Sequence, residues 1–134
     1  MASFNKFNSF VEALAEKVHN LGSDTLTVAL CASAPSASNT QLSDLTQISY
    51  TNLSSRTLSS VTSSQTGGTY TLDAADLVLT ASGTVATFRY VVLYNDTATN
   101  DELIGYYDYG SNVDLLNGET FTITFDASGI LTLA

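Results

Sequence analysis

VATFRYVVLY, residues 85–94, is the stretch that decides the fold class of this 134-residue chain. Towards its end the segment is apolar on both faces, which is typical of a strand that lies in the middle of a sheet. Ser82 and Gly83 form a turn before it, and a polar, Asx-rich tip follows it at residues 95–101. The sequence therefore predicts a central strand that leads through a hairpin into a neighbour at residues 102–109.

Most of the chain beyond residue 22 divides in the same way into short strands and turns. The closing segment is the clearest, because Phe121, Ile123 and Phe125 alternate with threonines and a turn at residues 126–129 leads into residues 130–133. Strands are further predicted at residues 25–32, 55–63, 70–73 and 76–81, whereas residues 33–51 form a long loop or contain an irregular edge strand. About eight strands without βαβ alternation predict an antiparallel β-sandwich, jelly-roll-like or Ig-like in connectivity.

The beginning of the chain has a different periodicity. At about 100° per residue, the large apolar residues of positions 4–21 fall in an arc of about 120°. We therefore expect one amphipathic helix over residues 4–21, within a single domain of residues 1–134. Its apolar side is expected to cover an open end or face of the sandwich through Phe7, Val11, Leu14 and Val18. Phe4 and Phe10 lie at opposite margins of the arc and are candidates to reach a neighbouring subunit.

The composition excludes some classes of partner. The chain carries 13 acidic residues against 4 Lys and Arg, a net charge of −9. Such a surface cannot neutralise a row of phosphates, so we expect neither direct nucleic-acid binding nor binding to an anionic membrane. The sequence also lacks the run of about 18 apolar residues that crosses a bilayer. Cys31, the single cysteine, is expected to be a buried structural thiol, and synthesis in a reducing cytoplasm is expected.

Residues suited to catalysis or metal binding are few. His19 is the single histidine and is expected on the polar side of the helix, so a catalytic triad or a zinc site is not predicted. Asp96, Asp101 and Glu102 concentrate oxygen ligands in one loop and make it a calcium candidate. Their spacing does not match an EF-hand, and Asx residues also favour tight turns. We predict no cofactor, no metal site beyond that candidate loop and no enzymatic activity.

A cluster of tyrosines is open to two interpretations. Tyr106, Tyr107 and Tyr109 follow Tyr90 and Tyr94 in the two central strands. Tyrosine is enriched at interfaces because its ring is apolar while its hydroxyl stays hydrated, but it is equally common in ordinary sheet packing. We expect packing for most of them, with Tyr107 or Tyr109 exposed. The predicted interface residues are Phe4, Phe10, Tyr107 and Tyr109.

Both ends of the chain resemble one protein family. FNKFNSFVE (residues 4–12), continued by HNLGSDTL (residues 19–26), is similar to the start of small structural proteins of tailed-bacteriophage virions. NGETFTITFD (residues 117–126), followed by GIL (residues 129–131), resembles the closing hairpin of the same family. The resemblance implies a capsid decoration or cement protein with a jelly-roll-like fold. It also implies a place on the capsid exterior, the major capsid protein as partner, and a homo-oligomer, either a trimer or a dimer.

Other functions remain open at this point. The chain could be a tail, neck or fibre component that contacts host glycans through its tyrosines, or a free carbohydrate-binding module. The acidic composition favours an outer position in a virion over one beside packaged DNA.

Overall fold

A computed structural model describes residues 2–134, and within that range the fold is mainly β, with 44% of residues in strands and 7% helical. The predicted fold class, antiparallel sheets with one helix near the N-terminus, is confirmed, with nine strands among the described residues. The elements in chain order are β1 (Asn5–Lys6), α1 (Phe10–Ala15), β2 (Leu26–Cys31), a 3₁₀ turn (Leu42–Asp44), β3 (Thr62–Thr66), β4 (Thr69–Asp73), β5 (Leu77–Thr80), β6 (Val85–Asn95), β7 (Leu103–Leu115), β8 (Thr120–Ile123) and β9 (Leu131–Leu133).

Three antiparallel sheets build a sandwich-like body. The largest has the order β1-β7-β6-β2, and the smaller two are β3-β4-β9 and β5-β8. The main core contains one face of the large sheet, through residues such as Phe88 and Leu93, together with Leu72 of β4 and Leu79 of β5. Burial of this apolar surface is the main force that holds the sheets together.

β6 is central, as its sequence predicts, and the large sheet is covered on both faces. Opposite the main core, Phe7, Val92 and Leu103 form a second buried cluster. Leu42 and Leu45 of the loop over residues 33–51 pack against this cluster. The long loop is therefore a lid on the sheet, and β2 beneath it is buried at every residue rather than half-buried as its alternation predicted.

The predicted helix over residues 4–21 is wrong in extent, because α1 spans only Phe10–Ala15. Lys17 adopts a left-handed conformation with φ 69°. The Val18 N–H donates to the Ala13 carbonyl at 2.9 Å and the Lys17 N–H donates to the Leu14 carbonyl at 3.4 Å. These two bonds form a Schellman motif, which ends a helix by satisfying its last carbonyls. Val11 and Val18 are consequently 48% and 37% exposed instead of covering the core.

The start of the predicted helix is replaced by a strand. Asn5 and Lys6 pair with β7, and the Phe7 N–H donates to the Ile104 carbonyl at 3.2 Å. Phe7 then enters the second buried cluster, while Phe10 enters the main core. On a continuous helix, both rings would lie on one face. Because residues 5 and 6 pair with β7 as a strand, Phe7 and Phe10 instead reach opposite faces of the large sheet.

Three further strand predictions need correction. The closing hairpin does not form, since β8 pairs with β5 and β9 pairs with β4. The alternating residues of β8 do face the core, but its partner comes from an earlier part of the chain. The strand predicted at residues 55–63 occurs instead at Thr62–Thr66, and β7 continues past its predicted end at residue 109 to Leu115.

No helix within residues 2–134 is long and apolar enough to cross a membrane.

Candidate functional site

Three of the four predicted interface residues lie together. The rings of Phe4 and Tyr107 pack edge-to-face with centroids 5.7 Å apart, and Tyr109 packs similarly against Phe121 at 5.0 Å. Two cavities of about 340 and 330 Å³ adjoin this cluster and share Ala2 and Tyr107 in their linings. We call this surface the terminal groove, because residues near both ends of the chain line it: Ala2, Phe4, Tyr107, Tyr109, Phe121 and Thr124.

A bulge in β7 brings Tyr109 to the surface. Phe88 pairs with Val113 and Tyr90 pairs with Asp108. Between these pairs, β6 has one residue and β7 has four, which is three more. The extra residues arch out of the ladder, as in other β-bulges. Gly110 adopts the positive φ of 95° that this arch requires, and its N–H donates to the Asp108 carboxylate at 2.8 Å. Tyr109 is therefore 54% exposed, whereas Tyr107, the other tyrosine predicted as a candidate for exposure, is half-buried.

An ion pair holds the bulge beside the terminal groove, and burial acts on Tyr107 within it. Arg89 donates two hydrogen bonds to Asp108, at 2.8 and 3.1 Å, which hold the pKa of that carboxyl below its usual range. The pair is partly exposed, so its main effect is to orient the bulge rather than to stabilise the fold. Burial, assisted by the charge of Asp126, raises the pKa of Tyr107 to about 12. Tyr107 therefore stays a neutral phenol, and the groove offers aromatic rings for docking.

The fourth predicted interface residue, Phe10, is not at the surface. It is 1% exposed within the main core, and its ring centroid lies 5.3 Å from that of His19. The expectation that Phe10 reaches a neighbouring subunit is therefore wrong. Its position follows from the short helix, which directs residue 10 inward immediately after the chain leaves β1.

The calcium candidate loop gains no geometric support. Asp96 Oδ2 accepts a hydrogen bond from the Thr27 hydroxyl at 3.1 Å, and Glu102 Oε1 accepts from the Asn100 N–H at 3.3 Å. Asp101 lines a cavity beside the 3₁₀ turn, and neither Asp96 nor Glu102 lines that cavity. Within residues 2–134, no group of three or more His, Cys, Asp or Glu side chains is placed to hold a metal ion.

A larger cavity than those of the terminal groove lies elsewhere, and sequence reasoning missed it. It measures about 980 Å³ and lies where the end of the N-terminal segment, the β6–β7 loop and the β3-β4-β9 sheet meet. We call it the His19 cleft; residues that line it include Leu14, His19, Tyr70, Thr97, Glu102 and Leu133. Only 5% of His19 is exposed, in contrast to its predicted place on a polar helix face.

Asn95 fixes the tautomer of His19. The Asn95 side-chain oxygen accepts the N–H groups of Thr97 and Ala98 at 3.0 and 3.1 Å, so its amide nitrogen must point the other way. That nitrogen donates to Asp24 Oδ2 at 2.7 Å and lies 3.0 Å from His19 Nδ1. An amide NH₂ group can only donate, so Nδ1 must accept and the imidazole proton is on Nε2.

Two polar atoms in this cleft are buried without a partner. Within the described part of the chain, His19 Nε2 and Glu102 Oε2 make no hydrogen bond. Burial lowers the pKa of His19, although the charges of Glu102 and Asp24 oppose that shift. The neutral imidazole thus presents one unused donor, and Glu102 presents one unused acceptor. Buried polar atoms without partners are rare in native proteins and mark a place that a ligand or a water can complete.

No pattern in the sequence links the residues of this cleft. Up to 83 positions separate the three residues His19, Asn95 at the end of the central strand and Glu102 before the next strand. Only the hairpin geometry brings them together.

Comparisons of the chain with protein-family models, curated proteins and solved structures returned no match.

Proposed function

We propose that this chain is a structural protein of a tailed-bacteriophage virion, and that it decorates the outside of the head and cements contacts between capsomers. One observation carries the proposal: the two terminal strings that resemble the family line one surface. Phe4, from the first string, packs against Tyr107, whose ring lies 6.4 Å from that of Phe125 in the last string. Residues of both strings also line the cavities of the terminal groove, which supports a shared role for the two segments.

The terminal groove has the properties of a docking surface. The exposed ring of Tyr109 and the half-buried rings of Phe4, Tyr107 and Phe121 supply contact area at low entropic cost, and the strands of the sheet hold most of them in place. The surrounding molecule is strongly acidic, which favours a neutral or basic partner surface and disfavours the packaged DNA. Many such contacts multiplied by the symmetry of a lattice give strong attachment from weak single sites.

The proposed partner is the major capsid protein, and the proposed oligomer is a trimer or a dimer that sits on a local symmetry axis of the capsid. No catalytic step is needed for this function. The experiment that tests it is a cryo-EM map of the native particle, combined with addition of purified protein to heads that lack it. We expect density on the head exterior and greater resistance of the completed heads to heat.

A substitution at Tyr109 tests whether the terminal groove is the surface that binds the capsid. Replacing Tyr109 with Ala removes an exposed ring that packs only at its edge on Phe121 and should leave the fold intact. If the groove docks on the capsid, this change should weaken binding about tenfold or more, as is typical of a central aromatic contact. Val11→Ala is the matched control, because Val11 is similarly exposed but lines neither groove cavity. Density confined to the tail would refute head decoration and favour a tail component instead.

A further inference from the structure

We propose that the His19 cleft binds a neutral saccharide, one of whose hydroxyl groups accepts from His19 Nε2–H and donates to Glu102 Oε2. This site is separate from the terminal groove, and the proposal does not depend on the virion function. It begins with two unpartnered buried atoms, a donor and an acceptor, which belong to two residues that line the same cavity of about 980 Å³.

A hydroxyl group is the simplest partner for this pair. It offers one donor and two acceptor positions, so one hydroxyl placed between the two atoms would satisfy both. A carboxylate or phosphate would meet the negative charges of Glu102 and Asp24. An ammonium group would satisfy Glu102 but would place a second donor against the Nε2–H of His19. A ligand without net charge and rich in hydroxyls fits both atoms.

The remaining walls suit the rest of a sugar ring. Leu14, Val18 and Leu133 give the cleft an apolar side, and the partly exposed ring of Tyr70 lies among them. The C–H face of a pyranose is apolar and packs well on such surfaces, while its hydroxyls remain hydrogen-bonded elsewhere. Polar groups for those hydroxyls come from Ser63, whose side chain hydrogen-bonds the Tyr70 hydroxyl at 2.8 Å, and from the β6–β7 loop.

Access to the two atoms requires a small movement. Each exposes less than 1 Å² to solvent. The outer wall at Thr97, Thr99 and Asn100 is an exposed loop, and the proposal requires this loop to shift so that a hydroxyl can enter. The inner wall is fixed, since Asn95 is fully buried and makes four hydrogen bonds that hold both His19 and the base of the loop.

The single histidine makes a direct experiment possible, because every imidazole signal in an NMR spectrum of the intact chain belongs to His19. We would titrate glucose, galactose and N-acetylglucosamine, with glucuronate and glucosamine as charged counterparts. A neutral sugar should shift the His19 ring signals saturably, and the charged sugars should bind more weakly. The ring nitrogens of the free protein should show the proton on Nε2.

A pair of variants locates the contact. Glu102→Gln removes the charged acceptor while keeping the shape of the side chain, and should weaken binding of the neutral sugar about tenfold or more. Asp101→Asn removes the same unit of charge one position away, from a residue that lines another cavity, and should leave binding unchanged. A proton on Nδ1, equal losses in both variants, or no saturable shift with any neutral sugar would overturn the proposal. A crystal structure of the protein soaked in these sugars that holds only a water between the two atoms would also overturn it.

Discussion

The most informative single substitution in this chain is Phe7→Ala, because it separates the observed strand-and-short-helix start from a continuous helix. The Phe7 side chain is fully buried in the second cluster, and its ring centroid lies 5.2 Å from that of Tyr106. Truncating a buried phenylalanine to alanine costs about 3–5 kcal/mol in transfer and cavity terms. Val11 is 48% exposed on α1, so Val11→Ala should change stability by no more than about 0.5 kcal/mol.

The contrast matters because a continuous helix over residues 4–21 would place Phe7 and Val11 on the same buried face. For a domain of this size, about 3–5 kcal/mol corresponds to a loss of about 11–18 °C in Tm. Urea unfolding followed by circular dichroism measures the difference, and an unchanged m-value would show that only stability changed. If Phe7→Ala does not fold, Phe7→Leu gives a smaller loss in the same direction. Comparable losses for Phe7→Ala and Val11→Ala would refute the reasoning.

Three further outcomes are expected. Burial lowers the pKa of His19 from 6.5. As the pH falls, His19 is therefore protonated in the unfolded chain before it is protonated in the folded chain. The stabilising contribution of the neutral imidazole is complete above about pH 6.5 and decreases below it, and an NMR titration that places the pKa above 6.5 would contradict this. Gly105→Ala would place a Cβ into the Phe4 ring and 2.9 Å from the Asn5 carbonyl oxygen. It should therefore lower the free energy of unfolding by about 1–3 kcal/mol and speed amide exchange in β1. Unaltered exchange would argue against that contact. Cys31 is 2% exposed and burial raises its thiol pKa to about 11, so a thiol reagent at neutral pH should modify it only upon unfolding, and rapid labelling of the native chain would disprove its burial.

Local patterning predicted much of the strand content. The apolar run of β6, the alternation in β8 and the burial of Cys31 all follow from residue type and spacing, because a side chain alternates across a strand whatever its partner is. Tyr107 or Tyr109 was also predicted to be exposed; Tyr109 is exposed, whereas Tyr107 is half-buried. The phage resemblance and the function it implies stay predictions.

The errors share a physical origin. The residues of positions 4–21 fit a helical period, but Asn5 and Lys6 gain more from pairing with the free edge of β7 than from an isolated turn of helix. β8 was expected to pair with the next strand, yet β5 offers it a longer register on the same side of the core. In both cases a contact distant in sequence prevailed over a local preference.

The sequence by itself determined that this chain forms antiparallel sheets around a buried central strand, since the period of its apolar residues directs side chains to one face or both. Only the tertiary structure decided which strands pair, where the helix ends and which polar residues meet. The His19 cleft illustrates the difference, because His19, Asn95 and Glu102 carry no mutual pattern in the sequence and become neighbours when the β6–β7 hairpin folds against the N-terminal segment. Periodicity records the surroundings of each residue, whereas a site depends on distances between residues that only the folded chain fixes.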